Sequence, residues 1–286
     1  MSRPDPKNSP PQGKFLVLGA SGKLGCLLQA VWPKADAVLW HSRRDGCCDF
    51  QFDLLQDPKT YVRAATGVRA VLCLPGVTPA RADGEDLSHN STLALAAVQG
   101  AATAGVARVF LASSAAVYGR ADYPLPETAV PTPACAYGHS KRDMEQATLA
   151  LAQRLGLPVT ILRIGNVAGA DAILGGWQPG FRLDQFNDGR TPRRSYIGPV
   201  TLAKVIARLM RTDDLPSVLN IAAPGSIEMG ALLDAAGLPW SGRPANDTTI
   251  PMVELDTRQL TRIMPIAANA SSAEGMIDEY RRAGCF

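Results

Sequence analysis

Three glycines, Gly19, Gly22 and Gly25, lie between the apolar run Phe15-Leu16-Val17-Leu18 and a stretch from Lys23 to Leu28 whose apolar residues recur at helical spacing. A strand that turns through such glycines into a helix strongly limits what can follow. Missing side chains let the backbone approach an anion, and the helix start offers unpaired N–H groups and a positive dipole end. The same turn can also serve packing alone, so the rest of the chain decides its use.

Further apolar runs, often β-branched, recur at Ala37 to Trp40, Ala70 to Leu74, Arg108 to Ala112 and Val159 to Arg163, with helical stretches at Ser91 to Ala104 and Ser140 to Leu155. Strands apolar throughout that alternate with helices predict a parallel sheet covered on both faces. The expected fold class is α/β, a Rossmann-like doubly wound sheet with a small discontinuous C-terminal substrate-binding region. Met1 to Gln12, with prolines at 4, 6, 10 and 11 and no apolar core, reads as a flexible tail rather than a signal peptide. Residues 13–165 are expected to form the main doubly wound domain, completed by a helix from Val200 to Met210 and a strand from Val218 to Ile221, within about 198–224. The glycine-rich segment 166–197 and the proline-broken 225–286 are expected to form the cap.

The chain has 286 residues, 46% of them hydrophobic, enough for a full core and against disorder as its main state. A formal charge of +3 is too small an excess to indicate a nucleic-acid partner. No apolar run reaches the roughly 18 residues of a membrane span, so no membrane partner is expected. Six cysteines form no C-x-x-C and the three histidines stand far apart, so no metal site is expected. Reduced thiols in a cytoplasm fit this best. Cys26 and Cys73 are expected to pack in the core, and Cys47 and Cys48 to sit in a loop; Cys285 lies near the C-terminus.

In dinucleotide sites an acid after the second strand holds the ribose of NAD, whereas arginine accommodates the 2′-phosphate of NADP. Here that strand runs into His41-Ser42-Arg43-Arg44, with no acid before Asp45. NADP(H) is therefore preferred and NAD(H) remains admitted, with Arg43 the leading phosphate ligand and Lys23 or Arg44 its helpers. Alternatively both arginines are solvated loop charges. With Gly19, Ser21, Gly22, Lys23, Leu24 and Gly25 in the turn, Asp53 and Leu54 are placed to meet the adenine, and Leu74 lies beside the cofactor.

Tyr137 and Lys141 are four residues apart, on one face of a helix. A cation beside a phenol lowers its pKa and fits it for proton exchange with a carbinol or carbonyl. Upstream, the run from Val109 ends in Ser113 and Ser114, at the edge where doubly wound sheets bind ligands. Together the glycine turn, Ser114, Tyr137 and Lys141 resemble an extended short-chain dehydrogenase/reductase of the NAD(P)-dependent epimerase/dehydratase group. The resemblance implies Tyr137 as acid/base, Ser114 orienting the substrate oxygen, and Lys141 gripping the nicotinamide ribose. Asn90 matches a family asparagine with a supporting structural role; it could equally be a plain helix N-cap.

Leu162-Arg163-Ile164-Gly165-Asn166-Val167-Ala168-Gly169 is similar to a stretch of UDP-galactose 4-epimerase-like proteins whose asparagine contacts substrate, which implies Asn166. Arg194-Ser195-Tyr196-Ile197 resembles a segment whose arginine binds a nucleotide diphosphate, which implies Arg194; the alternative is a solvated cluster with Arg190 and Arg193. Gly198-Pro199-Val200-Thr201 departs from the acidic pair usual after that segment, and Leu74-Pro75-Gly76 from the usual Leu-Ala-Ala. The glycine turn resembles the dTDP-4-dehydrorhamnose reductase branch more than the epimerases. The cap is expected to be short for enclosing a whole nucleotide sugar. Trp177 either flanks a sugar or base or only closes its loop.

The implied activity is hydride transfer between a nicotinamide and a hydroxyl or keto carbon of a nucleotide sugar or related small molecule. The alternatives are an NADPH-dependent reductase of a non-sugar carbonyl and a non-catalytic NADP sensor. A homodimer through Ser91 to Ala104 and Ser140 to Leu155 is also consistent with the family.

Overall fold

The computed structural model describes residues 13–34, 37–44, 48–78 and 86–284. The expectations for the Met1 to Gln12 tail, Asp45, Cys47 and Cys285 lie outside these residues. Seven strands form one parallel sheet: β1 (Phe15–Leu18), β2 (Val38–Ser42), β3 (Phe50–Gln51), β4 (Ala70–Cys73), β5 (Arg108–Ser114), β6 (Val159–Ile164) and β11 (Val218–Ile221). Their spatial order is β11-β6-β5-β4-β1-β2-β3, so the chain reverses direction across the sheet between β1 and β4.

The sheet strands are apolar at consecutive positions because both faces are covered. Leu16 and Leu18 of β1 pack with α2 (Pro58–Ala65), α3 (His89–Thr103) and α4 (Ala136–Leu155) on one side. Phe15 and Val17 face α1 (Lys23–Val31) and α5 (Pro199–Met210) on the other. At about 25 cal/mol per Å² of apolar surface, such burial dominates the stability of the layer.

Two local readings change. Helix α4 begins at Ala136 rather than Ser140 because the Cys135 thiol accepts from the Gly138 N–H at 3.4 Å and starts the helix. Tyr137 therefore stands in its first turn. Cys26 is exposed rather than in the core, whereas Cys73 is buried as expected. Among the described residues no helix is long and apolar enough to cross a membrane.

Small elements gather beyond the sheet's carboxyl edge. β7 (Asn166–Val167) pairs with β10 (Tyr196–Ile197), and β8 (Arg182–Gln185) with β13 (Ser241–Pro244). β9 (Arg193–Arg194) lies between β12 (Ile227–Glu228) and β14 (Met252–Val253). Helices α6 (Met229–Ala236) and α8 (Ala273–Arg282) share a third apolar cluster, while Leu260 of α7 (Arg258–Ile263) joins the α5 side of the sheet.

Candidate active site

The three glycines are needed for different reasons. Gly19 has φ +87°, a left-handed value that disfavours a side chain, while a Cβ on Gly25 would collide with the Gly19 carbonyl and Ala20. Gly22 is the N-cap of α1, which has no side-chain cap and no acid in its first turn, leaving the helix N–H groups available to an anion. The His41 carbonyl fixes the turn from below, accepting from the Gly19 and Ala20 N–H groups at 3.1 and 2.8 Å.

Arg43 and Arg44 follow β2 directly and are exposed. The His41 ring, which sequence reasoning passed over, stacks on Phe52 at 3.8 Å and its Nε2 lies 2.9 Å from the Phe52 carbonyl. Burial pushes its pKa down, so the ring stays neutral and pins the segment carrying Asp53 and Leu54 to the end of β2. Asp53 Oδ1 accepts from the N–H groups of Leu55 and Gln56 at 2.8 and 3.1 Å, and Leu54 is buried. Leu74 donates its N–H to the Leu18 carbonyl at 3.1 Å, which ties the ends of β4 and β1 together.

Asn90 is fully buried and is not a helix cap, since Ser88 holds that position. Its Oδ1 accepts from the Val77 N–H at 3.0 Å, and its Nδ2 donates to the Val77 carbonyl and to Ser140 Oγ, both at 3.1 Å. The loop after β4 is thereby laid against α4, and Gly76 fits there because a Cβ would press on Asn90 and on Lys141 Nζ.

Side chains alternate at the end of β5. Ser113 Oγ turns inward and donates to Glu145 Oε1 at 2.5 Å, while Ser114 lines an open cleft. The Ser114 hydroxyl accepts from the Ala116 N–H at 3.1 Å and lies beside the Tyr137 phenol. Lys141 Nζ donates to the Ala112 carbonyl at 3.0 Å and stands 5.9 Å from the Tyr137 ring centre.

The electrostatics differ from the expectation that a cation lowers the phenol. Burial pushes the Tyr137 pKa up, against the opposing influence of the Ser114 hydroxyl. Burial likewise brings Lys141 down to about 8, with Cys73 and Glu145 acting in the opposite sense.

Behind these residues runs a network that sequence reasoning missed. Arg163 donates to Glu145 and, through Nη1, to the Tyr118 oxygen at 2.9 Å; the Tyr118 hydroxyl donates to Asn220 Oδ1 at 2.9 Å. The one available signal was Glu145 itself, a carboxylate one helical turn beyond Lys141.

The cleft has a volume of about 870 Å³ and is lined by Ser114, Cys135, Asn166 and Arg194 together with Asp184 and Arg243. Arg194 Nη1 donates to the carbonyls of Arg193 and Ile250 at 2.7 and 3.0 Å, and burial lowers its pKa. It is not part of a solvated cluster: Arg190 pairs with Asp188, and Arg193 reaches Ser226 and Glu228. Trp177 closes its loop, donating to the Pro239 carbonyl at 3.0 Å. Among the described residues no group of three or more His, Cys, Asp or Glu could hold a metal.

Residues 15–182 match the model of the NAD dependent epimerase/dehydratase family, more than half of the chain. The chain belongs to that family. No curated protein matches it. Among solved structures it is similar to TunA, an NAD-dependent NDP-hexosamine 5,6-dehydratase of tunicamycin biosynthesis, at 19% identity and TM-score 0.75, covering 94% of this chain and 98% of that one. It is also similar to MoeE5 in complex with UDP-glucose and NAD, at 24% identity and TM-score 0.74, with 95% and 99% covered. The UDP-glucose 4-epimerase of Thermus thermophilus, in complex with NAD, aligns at 20% identity and TM-score 0.72, with 94% and 99% covered. At these identities the likeness is one of fold.

The departure at Gly198 to Thr201 has a physical explanation. The acid at the start of α5 comes from α8, where buried Glu279 accepts from the Thr201 N–H at 2.8 Å and from its hydroxyl at 2.5 Å. Gly198 leaves room for that carboxylate.

Proposed function

We propose that this family member transfers hydride between a nicotinamide dinucleotide and a hydroxyl or keto carbon of a nucleotide sugar or related small molecule. The observation that carries this is the placing of Tyr137 beside Ser114 at the cleft, with Lys141 one helical turn further along α4 and its Nζ 5.9 Å from the Tyr137 ring centre. The glycine turn fits a dinucleotide because its helix N–H groups are uncapped and its glycines keep the backbone bare. Gly19, Ser21, Gly22, Lys23, Leu24 and Gly25 would hold the pyrophosphate side, Asp53, Leu54 and Leu74 the adenine side, and Arg43 with Arg44 a 2′-phosphate. On that basis NADP(H) is preferred. NAD(H) remains admitted, since the MoeE5 and Thermus structures hold NAD.

When bound, the dinucleotide supplies or accepts the hydride. Tyr137 then gives the substrate oxygen its proton or takes it away, Ser114 orients that oxygen, and Lys141 offsets negative charge beside the phenol. Asn166 and Arg194 hold the substrate in the cleft, Arg194 through guanidinium donors directed at phosphate. Residues 13–165 with 198–224 serve as the dinucleotide domain, and 166–197 with 225–286 as the cap. Cys26, Cys73 and Cys135 are free thiols, in keeping with a cytoplasmic protein. A homodimer would form through the outer faces of α3 and α4.

The cleft favours redox or epimerisation over dehydration. Eliminating a hydroxyl needs a further acid/base near the reacting carbons. Next to Ser114 stand Ala115 and Ala116, and the only carboxylate among the described lining residues, Asp184, is engaged by Arg243 at 2.5 Å and Thr249 at 3.1 Å.

The purified protein is tested with NADPH and 4-keto nucleotide sugars, and separately with UDP-glucose and NAD(H). Loss of the reduced-nicotinamide absorbance identifies a reductase, and UDP-galactose formed without net oxidation identifies an epimerase. An unsaturated or deoxy product in place of both would refute the preference over dehydration.

A further inference from the structure

Two polar side chains outside the proton-transfer site, Asp171 and Tyr196, are joined to both of its ligand-facing sides. Tyr196 is 1% exposed, and its hydroxyl donates to Asp171 Oδ2 at 3.0 Å. Asn166, a cleft residue, is the partner of Tyr196 in the β7–β10 register. Asp171 Oδ1 accepts from the N–H groups of Leu174 and Gly175 at 3.0 and 3.3 Å, closing a turn. From across 152 residues of sequence, Lys23 Nζ donates to the carbonyl of Gly175 at 3.0 Å.

Lys23 is the first residue of α1, directly after the Gly22 N-cap. The turn it holds is tightly built: a Cβ on Gly175 would strike the Gly169 carbonyl, and one on Gly176 the Ala172 carbonyl. Ala172 and Ile173 of the same turn line the cleft. Thus one compact piece, residues 171–176, is fixed to the cleft at one end and to the helix of the glycine turn at the other. An acid in such surroundings is retained at a cost unless hydrogen bonds satisfy it, and Asp171 has three donors that do so.

We propose that Asp171 is a positioning residue for the dinucleotide: it shapes the 171–176 turn so that Lys23 can clasp it over the first turn of α1, and the clasp must open before the dinucleotide leaves. The proposal rests on the assignment of the glycine turn to a dinucleotide. Lys23 then acts less as a 2′-phosphate helper than as a link between the cofactor helix and the cap. Asp171 influences cofactor release through the turn and Lys23.

The test is the dissociation rate of NADH and NADPH, by stopped-flow displacement from the full chain, for wild type, Lys23→Met, Asp171→Ala and the double variant. Loss of one ordinary hydrogen bond at this exposed contact predicts about a fivefold faster release for each single variant. The double variant should release no faster than the quicker single one, because both changes open the same clasp. Rates that multiply, or an Asp171→Ala rate equal to wild type, would overturn the proposal. A second readout needs no cofactor: hydrogen exchange at the Leu174 and Gly175 amides should quicken in Lys23→Met, and unchanged exchange counts against the clasp. If wild type bound neither dinucleotide, the functional assignment and this proposal would fall together; binding with release indifferent to Asp171 defeats the proposal alone.

Discussion

Arg163 grips Glu145 with two nitrogens, Nε at 3.1 and 3.2 Å from the two carboxylate oxygens and Nη2 at 2.7 Å from Oε2, and both side chains are buried. The pair joins α4, which carries Tyr137 and Lys141, to β6 beneath it. Removing one partner leaves an uncompensated charge in the core. Arg163→Met is therefore expected to cost about 3–5 kcal/mol, measured by urea unfolding. Arg163→Met combined with Glu145→Leu should cost less than the single change; a larger loss in the double variant would contradict the burial argument.

Lys141 and Cys73 give stability opposite dependences on pH. Burial brings Lys141 from the ordinary 10.5 to about 8, so between these values the unfolded chain holds a proton that the folded chain has lost, and stability rises with pH. Burial lifts the Cys73 thiol from 9.0 to about 12, so above 9 the unfolded chain loses its proton first and stability falls. The lysine effect stands apart from that of the thiol between about pH 8 and 9. Melting temperatures should show Lys141→Met more stable than wild type below about pH 8, with the gap closing toward about pH 9. A constant gap would argue against a buried, titrating Lys141.

Arg43 follows β2 with an exposed side chain, placed to meet a 2′-phosphate. Arg43→Ala should weaken NADPH binding about tenfold, the value of one charge-assisted contact, and leave NADH nearly unchanged. Isothermal titration with both cofactors checks this, and equal losses would defeat the assignment.

Tyr137→Phe keeps the ring beside Ser114 and removes only the hydroxyl. Turnover should fall by about 10²–10⁴, with dinucleotide affinity within about twofold of wild type. Steady-state kinetics together with binding separate the two effects, and retained turnover would remove Tyr137 from its role.

What could be read in the sequence was local in the chain. The β1 run, the glycine turn and the pairing of Tyr137 with Lys141 each lie within a few residues, where strand and helix periods govern which side chains meet. The start of α4 is not legible in the sequence because its cap is a cysteine thiol, an unusual N-cap. The exposure of Cys26 is not legible either, because an apolar run does not say which helix face turns to solvent. Pairs distant in the chain left no local trace: Glu145 with Arg163, Asp171 with Tyr196, and Glu279 with Thr201, the last 78 residues apart. Such contacts exist only once the sheet order is set, and they position the site without forming a motif.

The central claim is that hydride passes at this site under control of Tyr137. The most direct measurement is a single turnover with nicotinamide cofactor carrying deuterium at C4 and a 4-keto nucleotide sugar, read by mass spectrometry of the sugar. The account predicts deuterium on the sugar carbon with wild type and almost none with Tyr137→Phe. Both ligands bound by wild type, with all the deuterium still on the nicotinamide, would contradict it.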